Sequence, residues 1–217
     1  EHMILEIARE YERGRRLLIG TTNLDAQRPV IWNIGAIAQV GTREANQLIR
    51  DIMLASASIP GVFPPVRINV KVGEQVYDEL HVDGGVTTQV FIYPSQIDLS
   101  KAAVDLGVSE DQTMYVIRNG YLDARWSEVN LKLSSILLSS VDTIIRTQGL
   151  GDLYRIYLGA VRDNANFKLA YIPEDFELES DELFDPEYMS ALFDLGYEQA
   201  RNGYNWSSSP PGFGLPE

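Results

Sequence analysis

Apolar residues recur at helical spacing near the start of the chain. Ile4, Leu5, Ile7, Ala8 and Tyr11 share a face over Ile4 to Glu12, and Gly14 supplies a stop. A helix already under way at the first residue is expected there. "RLLIGTTNL" is short, apolar and rich in β-branched residues, which suits a buried strand. After the turn "LDAQRP", the run "PVIWNIGAIA" reads as a second strand. "TREANQLIRDIMLASASI" returns to the helical period, with Leu48, Ile49, Ile52, Met53 and Ala57 on one face and Pro60 as breaker. Pro64 and Pro65 lack backbone donors, so "GVFPPVRINVKV" cannot begin as a central strand, although "RINVKV" can extend. "RINVKV" and "QVYDELHVDGG", separated by "GE", read as a hairpin that leaves Asp83 at the exit of its second arm.

Further along, "TMYVIRNG" is a strand candidate. Leu133, Leu137, Val141, Ile144 and Ile145 form a helical stripe within Leu131 to Thr147. A helix packed on the sheet is the expected role of that stripe, in preference to a lipid-facing surface. "NFKLAYIP" reads as a late strand. "DPEYMSALFDLGYEQARNG" reads as a last helix, with Asp185 as cap, Pro186 at its first position and Gly203 as stop. The tail "YNWSSSPPGFGLPE" has the composition of a loop, and no internal repeat is visible. The mixture of periods points to an α/β or α+β chain.

Composition narrows the chemistry. The chain has 217 residues, 45% hydrophobic and 23% charged, with 17 glycines and 10 prolines, ordinary values for a globular chain with a sizeable core. Its net charge of -13 disfavours a nucleic-acid partner, because phosphate binding relies on clustered Lys and Arg. Bulk attraction to anionic membranes is disfavoured for the same reason. The absence of Cys excludes disulfides, thiolate metal sites and thiol nucleophiles, and leaves the compartment open. No apolar run approaches a spanning helix, and the opening residues carry no basic-then-apolar signal pattern.

The alternating stretch "ELHVDGG" holds the most chemistry. In a strand Glu79, His81 and Asp83 point to one face, successive ones about 6–7 Å apart. A His-x-Asp metal site would need a second histidine, and the other one is His2, far away in sequence. A Ser-His-Asp triad is strained, since neighbours two apart on a strand diverge. A dyad in which Asp83 serves as base for a serine hydroxyl asks only that the carboxylate stay ionised and within reach. Against these stands a structural role, in which Asp83 caps the turn and the glycines permit positive φ. The residues by themselves favour that role.

Three segments change the balance: "RLLIGTTNLDAQRPVIWNIGAIA", "ASASIPGVFPPV" and "YDELHVDGGV", in this order and at these separations, resemble the later part of the patatin-like phospholipase family, bacterial members above all. The ending "FDPEYMSALFDLGYEQARNGYNW" resembles the closing segment of some of them. The resemblance implies a three-layer α/β/α fold, incomplete at its N-terminus. Residues 1–203 would form the C-terminal portion of one such hydrolase domain, and 204–217 a loop-like tail. It implies lipid acyl hydrolysis by a serine-aspartate dyad without a catalytic histidine. The family's D-G-[GA] motif falls on Asp83, Gly84 and Gly85, which makes Asp83 the general base, Gly84 and Gly85 its support, and His81 only a neighbour. The implied partner is a lipid or other acyl ester. Peripheral membrane contact is compatible with such a substrate, without direct support from the acidic balance. No metal or organic cofactor is implied.

Ser56 and Ser58 do not fit the nucleophile. Neither sits in G-x-S-x-G, whose small residues allow the sharp strand-to-helix elbow. Both are expected to close a helix before a Pro-rich turn that places Phe63 in the core. The family's oxyanion loop and its G-x-S-x-G elbow precede "TTNLDA", and neither occurs in these residues. The nearest approach, "GVSED" at Gly107, lacks the second glycine and follows the aspartate. These residues alone are therefore expected to be inactive, as the aspartate-bearing fragment of a larger hydrolase. The alternative is a non-catalytic binding or interaction module, or a structural domain whose apolar groove pairs with another chain.

Overall fold

The computed structural model describes residues 2–91, 112–124, 126, 128–178, 180 and 184–213. It is an α/β chain, as the mixed periods imply. It divides into two compact units, residues 1–91 with 129–149 and residues 92–128 with 150–217.

In the first unit, α1 (His2–Glu12) is followed by β1 (Leu18–Asn23) and β2 (Arg28–Asn33), then by α2 (Ile34–Val40) and α3 (Arg43–Ser56). The hairpin of β3 (Val66–Val72) and β4 (Gln75–Asp83) completes a four-stranded sheet in the order β2-β1-β4-β3, with every pair antiparallel. The two-residue connection pairs Val72 with Gln75, and Gly73 adopts a φ of 62° at its first central position, as a tight hairpin turn requires. One face of the sheet, carrying Ile19, Trp32, Val66, Ile68 and Val70, packs against Ile4 of α1, Ile34 and Ala38 of α2, and Ile49, Ile52 and Ala55 of α3.

Three expectations are corrected here. The strand read through "PVIWNIGAIA" stops at Asn33, whose side-chain oxygen accepts the Ala36 N–H at 3.1 Å and caps α2. Ile34, Ile37 and Ala38 satisfy the helical period as well as a buried strand would, so the cap decides between them. On α3 the inward face is Ala45, Ile49, Ile52 and Ala55, while Met53 stays exposed. Phe63 is likewise 41% exposed and lies outside the core.

The helix expected to end at Thr147 is α4 (Leu133–Arg162), which runs through Gly149 and Gly151. Isolated glycines weaken a helix without ending it, and burial of Leu153 and Ala160 further on offsets their cost. The first-unit part of α4 does not bury the anticipated stripe. Leu133, Leu137 and Ile144 are all more than half exposed. Among the described residues no helix is long and apolar enough to cross a membrane.

In the second unit, β5 (Thr113–Ile117) and β6 (Asn166–Ala170) pair in parallel, with Met114, Val116, Phe167 and Leu169 buried. α5 (Pro186–Arg201) starts as expected: the Asp185 carboxylate accepts the N–H groups of Glu187 and Tyr188, and Pro186 occupies the first turn. The residues after Gly203 form no helix, but Ser207 exchanges backbone hydrogen bonds with Leu169, and Pro210 is buried.

The burial pattern of α3 yields a direct check. Ile52→Ala is expected to lower the unfolding free energy by about 2–5 kcal/mol, whereas Leu54→Ala, on the exposed side of the same helix, is expected to change it by about 0.5 kcal/mol or less. Urea denaturation of the two variants measures the difference.

Candidate functional site

Asp83 ends β4 and is held on three sides. In the strand register it lies opposite Thr21 of β1. Its backbone N–H donates to the Ser58 carbonyl at 3.1 Å, just past the end of α3. Its carboxylate Oδ1 accepts the Gly85 N–H at 2.7 Å. Beyond it Gly84–Val86 form a single 3-10 turn, closed by the Thr87 and Thr88 N–H groups donating to the Gly84 carbonyl. The turn is fastened to the sheet by Thr87 Oγ1, 2.9 Å from Thr22 Oγ1, and to α4 by Gln148, whose amide donates to the Thr87 carbonyl.

The two glycines are required by space and not by backbone conformation, since neither has positive φ. A Cβ on Gly84 would stand 2.6 Å from the Gly20 carbonyl oxygen and 2.8 Å from its carbon. Backbone cannot yield at that distance, so only glycine lets the turn lie against β1. A Cβ on Gly85 would stand 2.5 Å from Gln89 Nε2 and 3.0 Å from Asp83 Oδ1, crowding the carboxylate itself. The expected capping role of Asp83 is present, and the expected left-handed glycines are not.

The Asp83 carboxyl is half-buried, and burial pushes its pKa above the usual aspartate value, partly countered by the Gly85 N–H that favours the anion. Among the described residues no cation pairs with it, and Oδ2 takes no hydrogen bond. It is neither turned into water nor locked in an ion pair.

His81 is fully buried and belongs to a different network. Trp32 Nε1 donates to Thr21 Oγ1 at 2.8 Å, which leaves the Thr21 hydroxyl proton for His81 Nδ1 at 2.9 Å. That assigns the remaining ring proton to Nε2, facing Glu79 Oε2 at 3.3 Å. Glu79 and His81 thus meet although they lie two apart on one strand, because the longer glutamate side chain spans the gap that makes an aspartate partner strained. Both ring nitrogens are engaged away from Asp83, in keeping with a satisfied core histidine. The serines are structural as well: Ser56 Oγ donates to the Met53 carbonyl and Ser58 Oγ to the Leu54 carbonyl. "GVSED" lies outside the described residues.

Sequence reasoning missed the part played by Thr21, Thr22 and Asn23, all fully buried. Thr21 joins Trp32 to His81, Thr22 holds the turn after Asp83, and Asn23 Oδ1 accepts the Ala26 N–H to start the β1–β2 turn. Asp25 adds a carboxylate that accepts the Leu80 N–H where β1 and β4 part. The available signal was a run of three polar residues inside an otherwise apolar strand, since buried polar groups need partners. Among the described residues no group of three or more His, Cys, Asp or Glu is arranged to hold a metal ion.

Gly84→Ala is expected to cost about 1–3 kcal/mol of stability, because the methyl group meets fixed backbone. Gly85→Ala is expected to cost less, since the end of the flexible Gln89 side chain can swing aside. Chemical denaturation of both variants tests the order, and equal losses contradict it.

No curated protein matches the chain. Residues 21–94, which run from the second half of β1 through β2, α2, α3, the β3–β4 hairpin and the Asp83-Gly84-Gly85 turn, match the Patatin-like phospholipase family.

Proposed function

We propose that the chain carries the general-base half of a lipid acyl hydrolase, a carboxylic ester hydrolase of the phospholipase A or lipase type, with Asp83 in a serine-aspartate dyad. The observation that carries this reading is the state of the carboxylate: half-buried, without an ion pair, anchored through Oδ1 by Gly85 and open at Oδ2 among the described residues. The family match over residues 21–94 supports the same chemistry.

In this mechanism Oδ2 takes the proton of a serine hydroxyl as its Oγ adds to the ester carbonyl. Collapse of the tetrahedral intermediate expels the alcohol, which leaves with the proton from Asp83, and an acyl-serine remains. Asp83 then takes a proton from water as its oxygen attacks the acyl group, and returns that proton to the serine oxygen as the C–Oγ bond breaks and the fatty acid is freed. No G-x-S-x-G occurs in the sequence, so the serine and the N–H donors for the oxyanion come from outside these residues in this reading. Gly84 and Gly85 set the acid against β1 and keep its surroundings clear of side chains. His81 has no chemical step.

Burial favours the reaction in a specific way. A carboxylate paired with Arg or Lys is a weak base, whereas one raised by desolvation accepts a proton more readily at neutral pH.

Two measurements follow. In the protein that includes the serine, Asp83→Asn is expected to lower kcat/KM for a p-nitrophenyl acyl ester by about 10²–10⁴-fold with the circular dichroism spectrum unchanged. Near wild-type turnover would retire the dyad. Stability carries an independent signature. Because the folded pKa of Asp83 lies above the unfolded one, its favourable contribution is full below the unfolded value and is lost as pH rises through the folded value. Asp83→Asn keeps an acceptor for Gly85 without the charge, so its urea midpoint should exceed wild type at neutral pH, with the gap closing on acidification. A wild type more stable than the variant at pH 7 would contradict the desolvated carboxylate.

A further inference from the structure

The first-unit part of α4 is turned inside out. Leu133, Leu137, Val141 and Ile144 recur at helical spacing along one side, and they are 73%, 57%, 40% and 63% exposed. Ser135 and Ser139, on the other side of the helix, are partly buried. A helix packed on a protein core places these residue types the other way round. The exposed apolar surface continues beyond the helix. A Cβ on Gly61 would stand 3.4 Å from Leu138 Cδ2, and Ile59 and Phe63, on either side of that glycine, are exposed. So many large apolar side chains together mark a surface that meets a partner.

The polar residues indicate which kind. Residues 131–149 hold six serines and threonines but three charged side chains, Lys132 and Arg146 against Asp142, a net +1 in a chain of net charge -13. Ser140 Oγ donates to the Ile136 carbonyl at 2.7 Å, Thr143 Oγ1 to that of Ser139 at 2.7 Å, and Thr147 Oγ1 to that of Thr143 at 2.9 Å. These hydroxyls are satisfied within the helix, so leaving water costs them little. A protein partner is held by hydrogen bonds around an apolar centre, and here the neighbouring hydroxyls are already engaged. A lipid surface asks for no such bonds. The acidic remainder of the chain is repelled by anionic lipid, which leaves a neutral surface gripped through apolar contact.

We propose that α4 lays its Leu133, Leu137, Val141 and Ile144 side into the surface of a neutral phospholipid layer, at points where loose packing exposes hydrocarbon. The helix lies in the plane of that surface, with its hydroxyl and charged side away from the acyl chains. The proposal does not rest on the Asp83 dyad, because partition is read without turnover and either can fail while the other stands.

Flotation of the 217-residue chain with phosphatidylcholine vesicles tests it. Wild type is expected to float with small sonicated vesicles, whose curvature loosens lipid packing, more than with large extruded ones, and added salt is expected to leave the bound fraction unchanged. Leu137→Glu is expected to keep the wild-type melting transition, since the side chain is exposed, and to weaken partition at least about tenfold. Thr143→Glu, which adds the same charge on the polar side of the helix, is expected to leave partition unchanged. Leu133→Glu, in the first turn of α4, repeats the test should Leu137→Glu fail to fold. The proposal is overturned by a folded wild type that does not float, by binding that salt abolishes, or by equal binding to small and large vesicles. Undiminished partition of a folded Leu137→Glu or Leu133→Glu, or an equal loss with Thr143→Glu, overturns it too. Sedimentation velocity supplies the last arm: a dimer that Leu137→Glu dissociates would assign this side to a second copy of the chain and overturn the lipid reading.

Discussion

The approach of Gly84 to the backbone of Gly20 is the constraint on which the arrangement of the first unit turns. Two polypeptide backbones lie too close to admit a side chain between them at the point where β4 leaves the sheet. Past Asp83 the chain enters a single 3-10 turn that lies against β1. Thr87 is thereby brought to Thr22, and Gln148 of α4 to the Thr87 carbonyl. The Ser58 carbonyl holds the other side through the Asp83 N–H, which ties the end of α3 to the same point. A side chain at Gly84 would disturb all of these together.

The close approach also explains why so polar a segment lies in the middle of the sheet. β1 has neighbours on both edges, so Thr21, Thr22 and Asn23 lose water on every side and have to find partners within the protein. They do so in different directions: Thr21 along its face to Trp32 and His81, Thr22 to the turn after Asp83, and Asn23 through Oδ1 to its own following turn, while its Nδ2 is buried without a partner. Apolar residues of similar size would bury as well and would fix nothing. Thr21 and Thr22 specify the β1–β4 register, because a slip by one residue would turn Thr21 and Asp83 to opposite faces.

Local signals were legible wherever one short segment settles its own conformation. Gly73 announces the hairpin, Asp185 and Pro186 announce α5, and the strand that breaks at two glycines announces the tip on which Asp83 sits. The sequence became ambiguous where a segment satisfies two periods, as in Ile34 to Ala38, and where an element outlasts its local pattern, as α4 does beyond Gly149. Illegible altogether were relations between distant segments. Thr21 lies opposite Asp83 across sixty-odd positions of chain, and nothing in either stretch names the other. The requirement for glycine at 84 could be seen, but its cause could not, because that cause is an atom of Gly20.

The same geometry sets the balance at the carboxylate. Desolvation at Asp83 follows from covering the strand end with the turn, and the one compensating N–H comes from the second residue of that turn. A second donor or a nearby cation would have stabilised the anion and lowered its basicity, while full exposure would have returned it to the ordinary aspartate value. The turn supplies one hydrogen bond and partial burial together, and in the proposed dyad that combination leaves a fixed carboxylate with one unused oxygen and an elevated proton affinity. The fold's cost is an ionised group half withdrawn from water, which a protein selected only for stability would have replaced by an amide of nearly the same shape.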